Sequence, residues 1–309
     1  MRIRDIGVMI PEQSLDNVKQ AAGFGENKKS LEKKIGALKL PTLDPALEPS
    51  DMAVAAINAA CKSSGVSTSS IQALVVVTQT GDRKEPIPHV SAIVHTKLGL
   101  NSSAVAFDVG LGCSGYVFGL QVIQGLMSQL GLNRGVLVTA DPYSRIVDRN
   151  DKSSLLFGDA ATATVIDNQG TWEIGPALLE TDGAKSANIQ TVNGVFEMNG
   201  RQVFNFAINS VPRQIRQLLK QCNLCPEEVD VYFLHQGSAA IVHAIASKFP
   251  EVSERFPCDI KFTGNTVSSS IPLMLKTRLF DPGSNCVLLS GFGVGLSWGS
   301  TILRRVDPS

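Results

Sequence analysis

The chain has no excess charge of either sign. Its 28 basic and 28 acidic residues leave a formal net charge of zero, which argues against nucleic acid as a main partner, because phosphate binding needs a basic field. It also lacks any apolar run near the ~20 residues a membrane-crossing helix requires. The opening Met1-Arg-Ile-Arg-Asp-Ile6 has no signal-peptide core, so a cytoplasmic protein away from membranes is expected. Cysteine is sparse. Six in 309 residues, without an extracellular framework, fit a reducing compartment. Cys222-Asn-Leu-Cys225 has redox or zinc spacing but no companion Cys or His pair, so it reads as structural and no metal site is expected. Aromatic residues are only 6% of a chain with 27 glycines, a composition suited to close packing of helices on a sheet.

What the chain does have is Cys113, in Ala106-Phe-Asp-Val-Gly-Leu-Gly-Cys-Ser-Gly-Tyr-Val-Phe-Gly119. The apolar run from Ala104 to Val109 reads as a buried strand, and Gly110, Gly112 and Gly115 allow a tight turn. Gly115 to Leu130 then reads as a helix. The cysteine therefore lies at a strand-to-helix elbow, where the dipole and free N–H groups of a helix N-terminus favour a nucleophilic thiolate. Two other segments end an apolar strand on a polar residue that core packing does not need. One is Tyr232-Phe-Leu-His-Gln-Gly237, with His235. The other is Phe262-Thr-Gly-Asn-Thr-Val-Ser-Ser-Ser-Ile-Pro272, with Asn265 at the tip of a turn leading into a helix.

Gly110-Leu-Gly-Cys-Ser-Gly115 is also a formal dinucleotide-binding fingerprint, with Asp141 ending the next strand. That reading leaves His235 and Asn265 without a role. Asp159, in Phe157-Gly-Asp-Ala160, reads as a structural residue at a turn. His89, His95 and His243 read as helix or surface residues. The one basic cluster, Lys28, Lys29, Lys33, Lys34 and Lys39, is either a solvated helix face or a landing strip for a phosphate-bearing or acidic partner.

An internal repeat organises the chain. A helix from Asp51 to Ser64 leads through Ser67–Ser70 to a strand from Ile71 to Thr78. Later, a helix from Val211 to Gln221 leads through Cys225–Glu228 to a strand from Val229 to Leu234. The strand pair Gly135–Ala140 and Ala161–Ile166 is echoed by Cys286–Ser290 and Trp298–Leu303. Apolar strands alternating with helices predict α/β layers around mixed sheets covered on both faces. The boundary falls near Asp167 to Gly170, giving halves 1–168 and 169–309. A site between them would join Cys113 from the first to His235 and Asn265 from the second.

Over nearly its whole length the chain resembles the β-ketoacyl-acyl-carrier-protein synthase III family of the thiolase superfamily. The resemblance rests on the Cys, His-Gln and Gly-Asn-Thr elements in that order. It also rests on Ile6-Gly-Val-Met-Ile-Pro-Glu12, Leu156-Phe-Gly-Asp-Ala-Ala161, Met198–Ala207 and Gly291-Phe-Gly-Val-Gly-Leu-Ser-Trp-Gly299. Thiolases carry a second Cys, and chain-elongating synthases a second His, where this chain has Asn265. The resemblance implies a thiolase-like fold of two pseudo-symmetric halves in an α-β-α-β-α sandwich. It implies decarboxylative condensation of an acyl primer with a malonyl thioester through an acyl-Cys113 intermediate. His235 and Asn265 would stabilise the thioester oxygen, and the backbone N–H groups of Cys113 and Val294 would form a second oxyanion hole. Phe204 and Ile241 match a pantetheine channel, with Gly200 beside it among the substrate-binding positions. Ile87, before Pro88, matches the residue a partner subunit inserts into the acyl pocket, which implies a homodimer. No cofactor is implied beyond coenzyme A or acyl-carrier-protein thioesters as substrates.

Some positions depart from the family. Val294 stands where Gly is usual. His235-Gln-Gly-Ser-Ala-Ala240 lacks the usual Ala-Asn and the Arg that follows. No aromatic residue lies near Ser30 and Leu31 to stack on adenine, although Lys34 is placed to replace a nearby Arg. These changes favour a carrier-protein-loaded or unusual primer, in a specialised pathway. The alternatives within the fold are an acyltransferase onto an alcohol or amine, which tends to need a base where Asn265 lies, and a non-catalytic partner subunit.

Overall fold

The structure is a computed structural model, describing residues 1–278 and 283–306. The N-terminal part comprises β1 (Arg2–Met9), β2 (Ser14–Asp16), α1 (Asn17–Gly23), α2 (Lys28–Lys34), β3 (Lys39–Pro41), α3 (Pro49–Ser64), β4 (Ala73–Val77), α4 (Val90–Lys97), β5 (Val105–Val109), α5 (Gly115–Leu130), β6 (Arg134–Ala140) and β7 (Ala161–Asp167). After residues 168–171 come β8 (Trp172–Thr181), β9 (Ile189–Val192), β10 (Val195–Met198), α6 (Gly200–Gln221), β11 (Val231–Leu234), α7 (Ala239–Ala246), α8 (Ser270–Arg278), β12 (Cys286–Gly293) and β13 (Ser297–Arg305).

Nine strands follow the order β11-β12-β13-β8-β1-β7-β6-β4-β5. The two wings repeat one pattern. On one side β4 runs parallel to β6, which is antiparallel to β7, which is antiparallel to β1. On the other, β11 runs parallel to β12, which is antiparallel to β13, which is antiparallel to β8. Within the sheet the two wings pair where Arg2 faces Glu173 and Ile3 faces Trp172. Helix α5 packs on β4 and β6 of one wing and on β12 and β13 of the other. One core contains Tyr116, Leu120 and Ile123 of α5, Ile271 and Leu275 of α8, Val75 and Leu137 of one wing, and Phe233 and Leu289 of the other. Helix α3 covers the outer face of the first wing, and α6 with α7 covers that of the second. The layers are therefore α-β-α-β-α.

Local chemistry sets the helix ends. Helix α3 starts with Pro49, where the missing N–H costs nothing, and the Glu48 N–H donates to Asp51 Oδ2 at 2.8 Å. It stops at Gly65, which is left-handed at φ 67°. Helix α5 stops the same way at Gly131, φ 63°.

Two elements are longer than their sequence pattern predicts. Helix α6 begins at Gly200 rather than Val211, because its buried stripe continues back through Ala207 to Val203 and Asn199 Oδ1 accepts the Gln202 N–H at 3.2 Å. Strand β12 runs on past the predicted Cys286–Ser290 through Gly291-Phe-Gly293. Its pairing with Gly299, Trp298 and Ser297 of β13 overrides the weak strand preference of glycine.

The absence of side chains lets α5 approach the sheet near the elbow. A Cβ on Gly115 would lie 2.3 Å from Val77 Cγ1. We expect Gly115→Ala to cost about 1–3 kcal/mol through overpacking, read as a lower urea midpoint, with part of the loss recovered in Gly115→Ala/Val77→Ala.

Candidate active site

Cys113 sits between β5 and α5 and is buried. The approach of β12 holds it there. A Cβ on Gly293 would fall 2.7 Å from Cys113 Cβ and 3.1 Å from Sγ, and one on Gly291 would fall 2.9 Å from the Cys113 carbonyl. Only glycine permits this contact, which brings a strand of the second wing onto an elbow of the first. The Ser114 and Ser297 hydroxyls lie 2.6 Å apart, and Ser297 Oγ donates to the Val294 carbonyl at 2.6 Å. This pair ties the elbow to the loop carrying Val294.

His235 follows β11, and its N–H donates to the Ser290 carbonyl of β12 at 2.8 Å. Its ring meets Phe292 edge-on at 5.3 Å. Nδ1 is 2.8 Å from Ser270 Oγ, which also lies 3.1 Å from the Val267 carbonyl. Burial lowers the imidazole pKa to about 3, so the ring is neutral at physiological pH. Gln236 braces this corner: its Nε2 donates to the Leu234 carbonyl at 2.9 Å and its Oε1 accepts the Asp259 N–H at 3.0 Å.

Asn265 is held by backbone on both sides. Its N–H donates to the Leu156 carbonyl at 2.8 Å, and its carbonyl accepts the Gly158 N–H at 3.2 Å. Oδ1 accepts the Val267 N–H at 2.9 Å. Since an N–H can bond only to the amide oxygen, this contact fixes the flip of the carboxamide and leaves its NH2 to donate elsewhere. Two glycines permit the crossing: a Cβ on Gly158 would be 2.1 Å from the Thr263 carbonyl oxygen, and Gly264 has φ +65°. Asp159 is structural in the same frame. Its carboxylate accepts the Leu43 N–H at 2.8 Å and the Ser144 N–H at 3.0 Å.

Cys113, His235 and Asn265 all line one cavity of about 190 Å³. Phe204, Ile241, Gly200, Val294 and Lys34 line it too. Ile87 is not among the lining residues and is 81% exposed. Leu31 is buried beneath α2, packed with Ala21 and Leu155, and the Ser30 hydroxyl donates to Glu26 Oε2 at 2.6 Å. Neither residue offers a surface for stacking.

One expectation is corrected. The helix N-terminus does not make Cys113 a resting thiolate: burial pushes its pKa well up, and the charge of Asp141 adds to the effect. Desolvation of a sulfur anion outweighs the dipole of one helix end. Asp141 is itself buried, accepting the Gln79 N–H at 2.7 Å and the Ser268 hydroxyl at 2.5 Å, and burial raises its pKa to about 6.

Sequence reasoning missed part of the lining. Phe292 lay inside a quoted glycine motif without being assigned a role. Tyr143, Phe157, Ile189 and Phe196 also line the cavity. The last two lie on the two strands of the β9–β10 hairpin, and their alternation resembles that of any half-buried strand.

These shifts carry opposite signs in acid. An unfolded histidine takes a proton below ~6.5, whereas buried His235 does not until about 3, so its contribution to stability is lost as pH falls through that window. Folded Asp141 protonates near 6 and an unfolded aspartate near ~3.9, so its contribution grows as pH falls between them. Melting temperatures compared at about pH 7.5 and about pH 5 should show less acid loss in His235→Gln and more in Asp141→Asn than in the wild type. Alkylation of Cys113 by iodoacetamide should keep accelerating above pH ~8.5 rather than level off there.

Comparison with known proteins adds an independent line. A family model described as 3-Oxoacyl-[acyl-carrier-protein (ACP)] synthase III matches residues 107–183, and one for the C terminal of the same family matches residues 219–305. The Beta-ketoacyl-[acyl-carrier-protein] synthase III of Lactococcus lactis subsp. cremoris (strain MG1363) is 33% identical over 276 residues, covering 82% of this chain and 84% of its own. That of Lactococcus lactis subsp. lactis (strain IL1403) is 30% identical over 324 residues, covering 98% of each chain. The crystal structure of 3-oxoacyl-(acyl carrier protein) synthase III from Pseudomonas aeruginosa PAO1 superposes with a TM-score of 0.90 at 29% identity, covering 100% of this chain and 99% of that one.

Proposed function

Because this chain belongs to the 3-oxoacyl-[acyl-carrier-protein] synthase III family, we propose that it condenses an acyl primer with malonyl-acyl-carrier protein to a 3-oxoacyl thioester, with loss of CO2. The observation that carries this reading is the convergence of Cys113, His235 and Asn265 on one buried cavity. In this reading residues 1–168 supply the nucleophile and residues 169–309 the two donors.

In the first half-reaction the Cys113 sulfur bonds to the primer's carbonyl carbon, the bond from that carbon to the carrier thiol breaks, and the Cys113 proton leaves with that thiol. Burial keeps Cys113 a thiol at rest, so the proton must move as the sulfur attacks. Neutral His235 is the base at hand, through Nε2, because Nδ1 faces Ser270. The Ser270 hydroxyl has two acceptors within reach, Nδ1 and the Val267 carbonyl. When it donates to Val267, Nδ1 holds the ring proton and Nε2 accepts. When it donates to Nδ1, Nε2 carries the proton and donates. The N–H groups of Cys113 and Val294 face the oxygen of the tetrahedral intermediates.

In the second half-reaction the malonyl thioester loses CO2, and the electron pair left behind forms an enolate. Its carbon bonds to the acyl carbon, Cys113 leaves as a thiolate, and the sulfur takes a proton from solution. His235 Nε2–H and the Asn265 NH2 stabilise the enolate oxygen in a site where water does not compete. The fixed amide of Asn265 cannot act as a base, which suits a reaction in which decarboxylation creates the carbanion and disfavours acyl transfer onto an alcohol or amine.

Phe204, Ile241 and Gly200 line the path of the pantetheine arm. The buried Leu31 and engaged Ser30 favour a carrier protein over coenzyme A as primer donor, with Lys34 at the cavity supplying positive charge. A homodimer places the exposed Ile87 against the partner's acyl pocket.

Intact-protein mass spectrometry with acyl thioesters tests the scheme. We expect a mass gain in the wild type that disappears in Cys113→Ala. Asn265→Ala should still acylate, but lose condensation by ~100–1000-fold, about 2.7–4 kcal/mol of barrier. Condensation by Asn265→Ala at the wild-type rate would remove Asn265 from the mechanism.

A further inference from the structure

His235 has a second side. A cavity of about 330 Å³ lies behind it, lined by residues of α8, of the 259–264 loop and of β1. Among the described residues none lines both this cavity and the one that holds Cys113. His235 lines the front cavity and Ser270 the rear one, and their contact of 2.8 Å between Nδ1 and Oγ bridges the two. The rear cavity is bordered by Ile10, Asp259 and Thr277, all exposed, so solvent reaches it.

The inner end of this cavity is polar and buried. Gln236, Thr266 and Ser270 line it, each 3% exposed or less. The Gln236 amide is engaged by the Leu234 carbonyl and the Asp259 N–H. The Thr266 hydroxyl is buried and has no hydrogen-bond partner among the described residues. A hydroxyl kept from water without a partner is costly, and water entering from the rim would supply one. Ser270 Oγ lies 2.8 Å from Nδ1, 3.1 Å from the Val267 carbonyl and 3.4 Å from the Gln236 nitrogen, which donates to it. A hydroxyl donates one hydrogen bond and accepts two. When Ser270 donates to Nδ1, it therefore keeps one acceptor position beyond the Gln236 N–H.

We infer that the rear cavity delivers the proton that restores Cys113 after condensation, passed by the Ser270 hydroxyl to Nδ1 of His235. This rests on the function proposed above and deepens it. The two half-reactions use opposite tautomers of His235, so Nδ1 must lose and regain a proton in each turnover, and Ser270 is the side chain bonded to it. When condensation ends, the product and its pantetheine arm still fill the front cavity. The Nε2–H bond breaks and its proton bonds to the Cys113 thiolate. The Ser270 O–H proton moves to Nδ1, and water in the rear cavity gives a proton to Ser270 Oγ; the hydroxide left behind is neutralised from bulk solvent. The ring ends neutral, with Nδ1 protonated and Nε2 free, the form the next acylation needs. Before condensation the reverse transfer empties Nδ1, while Nε2 takes a proton through the front, open between the departure of one carrier and the arrival of the next.

Rapid-quench counting of the 3-oxoacyl product tests the inference. Each enzyme is acylated in advance with an acyl-pantetheine thioester, held until the His235 tautomers equilibrate, then mixed with malonyl-acyl-carrier protein and more primer. Ser270→Ala should complete its first condensation at the wild-type rate and then turn over at least ~10-fold more slowly, with a slow phase that heavy water retards further. Leu273→Trp narrows the rear cavity from a position that does not line the front one. It should show the same burst with a smaller slowing, and it carries the test if Ser270→Ala does not fold, as judged by its melting transition. Equal slowing of first and later turnovers in Ser270→Ala would overturn the inference, leaving Ser270 a residue that only orients the ring. So would wild-type turnover in a folded Leu273→Trp, which would place proton entry at the front. If the wild type forms no 3-oxoacyl product, the proposed function itself fails. If it does and neither variant shows a burst, only the relay fails.

Discussion

The arrangement depends on one contact: the glycine edge of β12 lying against the Cys113 elbow. Gly291 and Gly293 have no side chains to hold the two wings apart, and a Cβ at either position would strike Cys113 or Ser114. Through that contact the second wing brings Phe292 and Val294 to the cavity that Cys113 lines. Its parallel neighbour β11 delivers His235, anchored to the Ser290 carbonyl. A bulkier residue on this edge would push the wings apart, and each group would then face its own side of a widened gap. The site is a consequence of how closely two repeats of one fold approach each other.

Closeness has an electrostatic cost that the chemistry uses. Burial raises the Cys113 thiol and lowers the His235 imidazole, so both are neutral at rest. A neutral imidazole can accept a proton in one step and donate one in the next, which an imidazolium could not. A carboxamide whose oxygen is already held by the Val267 N–H adds a donor that never titrates. The same low local dielectric strengthens a hydrogen bond made to a developing oxyanion. Membership of the condensing-enzyme family and the arrangement of these groups lead to the same conclusion from separate starting points.

Much of the fold was legible in the chain. The apolar runs of the strands and the repeated helix–connector–strand pattern identified the layers before any coordinates. The predicted span of α5, Gly115 to Leu130, is the observed one. Legibility failed where tertiary contact overrode local preference. Glycine-rich Gly291–Gly293 became strand because β13 and Cys113 lie beside it. Helix α6 reached back to Gly200 because its first turns bury a stripe against the second wing. The charge state of Cys113 also failed to follow from its place at a helix start, since burial is a property of the whole molecule and outweighs a local dipole.

For the site, residue type and order along the chain singled out Cys113, His235 and Asn265 as candidates; all three line one cavity, although Asn265 lies on a loop and not at the end of a strand. Sequence alone could not decide whether they face one another, since they come from distant segments and from both wings. Nor could it identify Tyr143, Phe157, Ile189 and Phe196 as lining the cavity they share. An apolar or aromatic side chain looks the same in a sequence whether it fills a core or borders a cavity. Only the packed structure distinguishes the two, because a cavity is the space left over when every other side chain has taken its place.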